Sequence, residues 1–339
     1  MTDSRFEGTD PTEDPARLDR QDPEGEIAAR ATAYRNWGRW GADDRIGTLN
    51  FIDDRKRADA AASVRTGRVI SLSQAFDMNG PQTGWRRRTN PIHLMLDTGT
   101  DAERGIQGFP HGIGGADDFI SMPLQTSTQW DGLGHIFDHG QAWNGRAAGD
   151  VVTSDGDQVT GIEHTAAVMV SRGVLLDVGR HLGPDTGELP SDFAITPAHL
   201  ESCIVAQGET SRVERGDIVL VRTGRLSRAR REGWGDYAGG ASPGLSLTTA
   251  GWLYRTEIAA VATDTWGFEV RPNEFDVPAF QPLHQVAIPN MGLSIGEMWD
   301  LDELGTHCLD TGRYDFLLTA ATLPITGAVG SPVNPLAVF

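Results

Sequence analysis

The sequence predicts a single α/β domain built on buried strands, and three observations carry that expectation. Residues 216–224, Gly-Asp-Ile-Val-Leu-Val-Arg-Thr-Gly, form a short apolar run closed at both ends by polar or turn residues, the pattern of a strand covered on both faces. Residues 173–178 and 258–267 repeat it. Between such runs stand helix-start signals, of which Thr196-Pro197 is the clearest: a hydroxyl at the N-cap, then proline at the first helical position. Alternation of this kind argues for layers of helices on a sheet.

The bulk numbers agree. With 339 residues, 39% of them hydrophobic, the chain has ample material for a core. Its net charge is −18, and Arg86-Arg87-Arg88 is too short to make a basic stripe, so no nucleic-acid partner and no anionic membrane surface is expected. No apolar stretch approaches the ~20 residues of a membrane span, and the acidic N-terminus lacks the apolar run of a signal peptide. Cys203 and Cys308 are too few for a disulfide scaffold. They fit a reducing cytosol, with one disulfide between them left open. The expected location is cytoplasmic.

Taken in order, residues 1–35 read as an acidic N-terminal arm, ending in a short helix over 26–35, and residues 36–339 as one catalytic domain. Residues 54–66 read as a helix and 68–73 as a strand. Residues 79–90 read as a loop, and 91–96 and 119–124 as strands around a Gly- and Asp-rich loop at 97–115. His93, among apolar neighbours, reads as a structural histidine. Residues 142–163 are polar with a turn at Trp143-Asn144-Gly145, and 180–195 and 225–243 read as polar connections. Helices are expected over 197–206 and 247–254, and a last buried strand over 314–321. Asp264 and Glu269 read as strand-end hydrogen bonders. Gly, Pro and Ser turns are expected to close the chain from Pro324.

The chemistry concentrates in residues 125–140, Gln-Thr-Ser-Thr-Gln-Trp-Asp-Gly-Leu-Gly-His-Ile-Phe-Asp-His-Gly. Asp131 offers a hard oxygen to a divalent cation, and His135 an imidazole able to bind metal or move a proton. His139 reads equally as a partner of the site or a surface residue. Trp130 and Phe137 flank the pair, and apolar flanks strengthen electrostatics by excluding water.

This stretch resembles the signature of the cyclase-like metal-dependent hydrolase family, which includes bacterial kynurenine formamidase and isatin hydrolase. The family motif reads His-x-Gly-Thr-His-x-Asp-x-x-x-His. Thr128-Gln129-Trp130-Asp131 and His135 fall in its second half, while Gln125 and Gln129 replace its two leading histidines. The similarity extends from Asn36-Trp37-Gly38 to the C-terminal Gly327–Pro332 segment. It implies a swivelling β/β/α-type fold, with a barrel-like sheet wrapped by helices, that assembles as a homodimer or homotetramer. It also implies that His284 in Pro282-Leu283-His284 and Glu297, 13 residues on, complete a metal site with Asp131 and Gln129, Gln125 adding to the shell. Carbonyl oxygens in place of imidazoles lean toward one ion, Mn2+ or Zn2+.

On that resemblance His135 is the general base, Trp37 and Trp40 are substrate-pocket candidates alongside Trp130 and Phe137, and the expected reaction is hydrolysis of a small cyclic or aryl amide or a lactone. The alternatives are a cyclase or dehydratase acting on a polyketide-like intermediate, and a metal-poor binding protein of the same fold.

Overall fold

The buried apolar runs are the middle of a nine-stranded sheet that curls into a half-barrel in the computed structural model, which describes residues 11–183 and 185–339. In chain order the strands are β1 Val69–Ser71, β2 Gln129–Asp131, β3 Val170–Leu176, β4 Ile218–Val221, β5 Ala260–Thr263, β6 Ser294–Glu297, β7 Asp315–Thr319, β8 Gly330–Pro332 and β9 Leu336–Val338. They lie side by side as β1-β9-β7-β3-β4-β5-β6-β2-β8. The centre, β3-β4-β5-β6, is parallel, and the flanks are antiparallel.

Strand parity divides the interior into two cores. Val174, Leu176, Val219, Val221, Val261 and Ile295 point to one face and meet helical residues such as Leu200, Leu253 and Leu283. Leu175, Ile218, Leu220, Ala260 and Ala262 point to the other, with Trp130, Trp299, Leu304 and Leu318. Both faces being covered is why these strands read as continuous apolar runs rather than alternating ones.

The helices that matter here are α1 Pro23–Ala33, α2 Asp54–Ala62, α3 Pro197–Gln207, α4 Arg225–Glu232, α5 Ala250–Arg255, α6 Pro282–Val286 and α7 Asp302–Thr311. Thr196 caps α3 through its hydroxyl, as its sequence signature predicts. Asp22 caps α1, which buries Ile27 and Ala31 and packs against α6. Residues 1–10 of the expected arm lie outside the described residues. Cys203 and Cys308 are both buried and free.

Three expectations are corrected. Residues 225–243 are not all connection: α4 forms because Leu226 and Ala229, one turn apart, give an otherwise arginine-rich segment a buried stripe. Residues 180–195 open with the end of a short helix, Val178–Leu182, capped by Asp177. The C-terminal turns contain β8 and β9, with Pro332 tolerated because β8 is an edge strand.

Candidate metal centre

β2 places the first ligands. Its residues are fully paired on both sides, with β6 through Ile295↔Asp131, Gly296↔Trp130 and Glu297↔Gln129, and with β8. The chemistry-bearing stretch is therefore a buried strand at this point, not a loop. Alternation puts Gln129, Asp131 and Glu297 on one face and Trp130 on the other. Trp130 is fully buried in the opposite core, where its indole N–H donates to the Ala320 carbonyl at 2.9 Å and its ring meets Trp299 edge-on. It is not placed to line the metal face. Gly296 is glycine for the same packing reason: a Cβ there would sit 2.5 Å from the Ala262 Cβ.

α6 brings in His284. Its N-cap, Gln281, makes no side-chain cap. Glu269 supplies one from a distance: Oε2 accepts the Leu283 N–H at 3.1 Å and Oε1 the His284 N–H at 3.0 Å. The same Oε1 meets Nδ1 of the His284 ring. That contact turns Nε2 toward Glu297, whose Oε1 is 3.1 Å away. Asp131, His284 and Glu297 each then offer one ligand atom, all within 4.8 Å of one another. All three are buried.

The donor set fits a divalent cation. Three buried carboxylates, Asp131, Glu297 and Glu269, surround one imidazole, an imbalance that a 2+ charge offsets. Burial lifts Asp131 to about 6, with His135 opposing the rise and Glu297 adding to it. Burial pulls His284 down, but Glu269 and Glu297 outweigh it and hold the ring up at about 10. A proton on His284 thus stands where a cation is wanted. Gln129 completes the picture. Its NH2 donates to Glu297 at 3.0 Å and lies 3.5 Å from Asp131, while its Oε1 is buried without a partner. Rotating the amide by half a turn presents that oxygen to the same point. Gln125 also has a buried, unpartnered Nε2, which stands against Gly330 of β8, opposite Asp131.

His135 lies beside the triad, its Nε2 3.8 Å from Asp131 Oδ1. Burial holds its imidazole below the usual 6.5, with Asp131 resisting, so the ring is neutral and able to accept a proton near neutrality. His139 points the other way, to Asp138 and to Glu24 on α1.

A cavity of about 450 Å3 adjoins the triad. Glu269 and Gly267 lie in its wall, and the site of a Cβ on Gly267 is 3.8 Å from Glu297 Oε1. Its aromatic walls are Tyr237, Trp266, Phe275 and Phe280. Trp85, from the 79–90 loop, packs on Trp266 and Phe280.

The expected pocket tryptophans lie elsewhere. Trp37 donates to the Pro289 carbonyl and lines a separate cleft with Arg39 and Trp252. Trp40 packs between Phe51 and Trp143. Phe137 is partly exposed, two residues from His135. The family resemblance implies that the segment carrying Trp266 walls the pocket, while Glu269 reads from the sequence only as a strand-end hydrogen bonder, with no local pattern linking it to His284.

The Cyclase family model matches residues 70–270. A solved structure described as a novel cyclase is 37% identical and covers 90% of this chain and 100% of its own, with a TM-score of 0.82. Isatin hydrolase A from Labrenzia aggregata, bound to benzyl benzoate, is 19% identical over 80% of this chain and 93% of its own, with a TM-score of 0.56. Isatin hydrolase A from Ralstonia solanacearum is 17% identical over 80% of this chain and 91% of its own, also with a TM-score of 0.56. At those identities the likeness to the hydrolases is one of fold. No protein of curated function matches the chain in sequence.

Proposed function

This chain belongs to the Cyclase family, and from that premise we propose that it is a metal-dependent hydrolase that opens a small cyclic or aryl amide or a lactone. The observation that carries the reading is the convergence of Asp131, His284 and Glu297, from three separate segments, on one buried point beside a cavity. The fold shared with isatin hydrolases supports it.

Asp131, His284 and Glu297 would hold the ion, with Gln129 turned to add its oxygen. A divalent cation bound there supplies Lewis acidity, which polarises a carbonyl and makes a water acidic enough to attack near neutral pH. Glu269 keeps the His284 proton on Nδ1 and so leaves Nε2 free as a donor atom. His135, half-buried and neutral, takes a proton from the attacking water as its oxygen bonds to the acyl carbon. It returns that proton to the leaving nitrogen or oxygen as the acyl bond breaks. Trp266, itself buried, walls the cavity on the side of the reacting face.

The test is metal content and turnover together. The purified chain, loaded with Mn2+ or Zn2+, is expected to hydrolyse members of a panel of cyclic amides, anilides and lactones. Asp131→Ala is expected to lose both the bound metal, by elemental analysis, and the activity. Equal metal content in that variant refutes the site.

The functional unit in this reading is a homodimer or homotetramer. Among the described residues, strands Ile92–Asp97 and Asp117–Ser121 pair only with each other, outside the main sheet. They expose Leu94, Leu96 and Phe119 at 51%, 65% and 44%. A lone two-stranded hairpin is marginal in water, and an apolar surface of this kind favours burial against a second copy. Among the described residues no helix is long and apolar enough to cross a membrane.

A further inference from the structure

We propose that the cavity beside the triad selects planar aromatic molecules that carry a carboxylate, with Arg88 and Arg271 as the residues that recognise the anionic group. The inference deepens the hydrolase reading by naming a substrate class, but its binding step stands apart from turnover.

The first observation is how the guanidinium groups are held. Many arginines here meet acids, including several that also stack on rings: Arg222 pairs with Asp177 and Asp302, Arg228 and Arg231 with Glu188, and Arg39 and Arg215, both over Phe51, with Glu257. Beside the cavity three arginines meet rings and, among the described residues, form no ion pair. Arg88 lies over Trp266 at 5.6 Å, Arg271 over Phe280 at 5.9 Å and Arg86 over Trp85 at 5.4 Å. A guanidinium stacked on an aromatic face is oriented, yet its N–H edges stay available for a bidentate acid group.

The second observation is the aromatic surface. Trp85 is 45% exposed and Phe280 50% exposed, although both belong to one connected cluster with Trp266. The part of each ring that its arginine leaves uncovered is open for a flat ring to stack on, near the Gly267 wall that borders Glu297.

The third is charge. A carboxylate entering this cavity meets Glu269 in the wall, with Asp131 and Glu297 beyond it, in a chain of net charge −18. Without a local positive group it is repelled; with two at the mouth it is held at one end while its ring reaches inward. The loop that delivers Arg88 carries backbone strain. Gly84, Arg86 and Arg87 all have positive φ, at 91°, 51° and 65°, the last two in residues that disfavour it.

The experiment compares 2-aminobenzoate with 2-aminobenzamide, a pair of closely similar size and shape that differs in charge, by titration calorimetry on the full chain with Mn2+ present. The benzoate is expected to bind at least about tenfold more tightly, a difference of roughly one ion pair. Arg88→Gln with Arg271→Gln is expected to remove the preference while melting temperature and metal content stay unchanged. That double variant separates arginine recognition from direct coordination of the carboxylate by the metal. Equal affinities in the natural protein, or a preference that survives in the double variant, overturns the inference. If the natural protein shows the preference but hydrolyses no amide or lactone, the hydrolase reading falls and the anion site stands. If it hydrolyses neutral amides while binding both probes equally, the reverse holds.

Discussion

Glu269→Gln is the sharpest probe of the metal centre because the substitution keeps size and removes only charge and one acceptor. In the natural protein the two carboxylate oxygens take three donors: the Leu283 N–H, the His284 N–H and the His284 Nδ1–H. A glutamine has one oxygen and one NH2 for the same three. If the oxygen faces His284, the NH2 faces the Leu283 N–H, donor against donor, and strands a buried group at about 1–3 kcal/mol. If the amide is turned round, the NH2 faces Nδ1, which must then accept, and the ring proton moves to Nε2. An Nε2 that carries a proton has no lone pair for a metal. Both outcomes weaken the site. Loss of such an orienting carboxylate typically lowers metal affinity about 10- to 100-fold, or roughly 1.4–2.7 kcal/mol. Equilibrium dialysis against Mn2+ and Zn2+, read by elemental analysis, measures the Kd of both proteins. Circular dichroism and the melting temperature check that the fold is intact. A Kd unchanged within about twofold, with the fold intact, refutes the claim that Glu269 sets the His284 tautomer.

Three further outcomes are expected. His135→Ala should lower turnover by about 10²–10⁴-fold while keeping its metal, measured by steady-state kinetics beside elemental analysis; full activity removes His135 from the mechanism. Leu94→Lys with Phe119→Lys, which places charge on both strands of the exposed hairpin, should shift the particle to a smaller mass by light scattering, and an unchanged mass moves the interface elsewhere. His139 links Asp138 to Glu24 on α1, and the hydrogen bonds to Asp138 and Glu24 raise its imidazole above 6.5. A group whose folded value is raised stabilises below its unfolded value, and that contribution fades as pH climbs through the folded one. The His139→Gln variant should therefore be less stable than the natural protein at pH 6, by less than about 1 kcal/mol for so exposed a contact, read as a lower melting temperature, and should match it at alkaline pH. A constant gap across pH contradicts the ionic reading.

What could be read from the sequence, and what could not, follows from how far apart the cooperating residues lie. β3, β4 and β5 were legible because a strand buried on both faces needs no distant context: its apolar run and its turn-forming ends say enough. The triad residues were legible as individuals, through motif likeness, but their geometry was not. β2 is three residues long, too short for a period of two to stand out among the glycines that follow it. Once β2 is a strand, parity alone sends Trp130 away from Gln129 and Asp131, and the mistaken pocket role disappears without further information. The cavity walls are harder. Trp85 and Trp266 are 181 positions apart, and nothing local in either segment announces the other. Glu269 shows the same limit at shorter range, because its role depends on where α6 begins in space. A helix with no capping side chain of its own, at Gln281, is a vacancy that some distant acceptor must fill. A buried helix start with a poor N-cap residue is thus itself a signal. It asks which carboxylate answers it, and here the answer also fixes the histidine on which the proposed metal site depends.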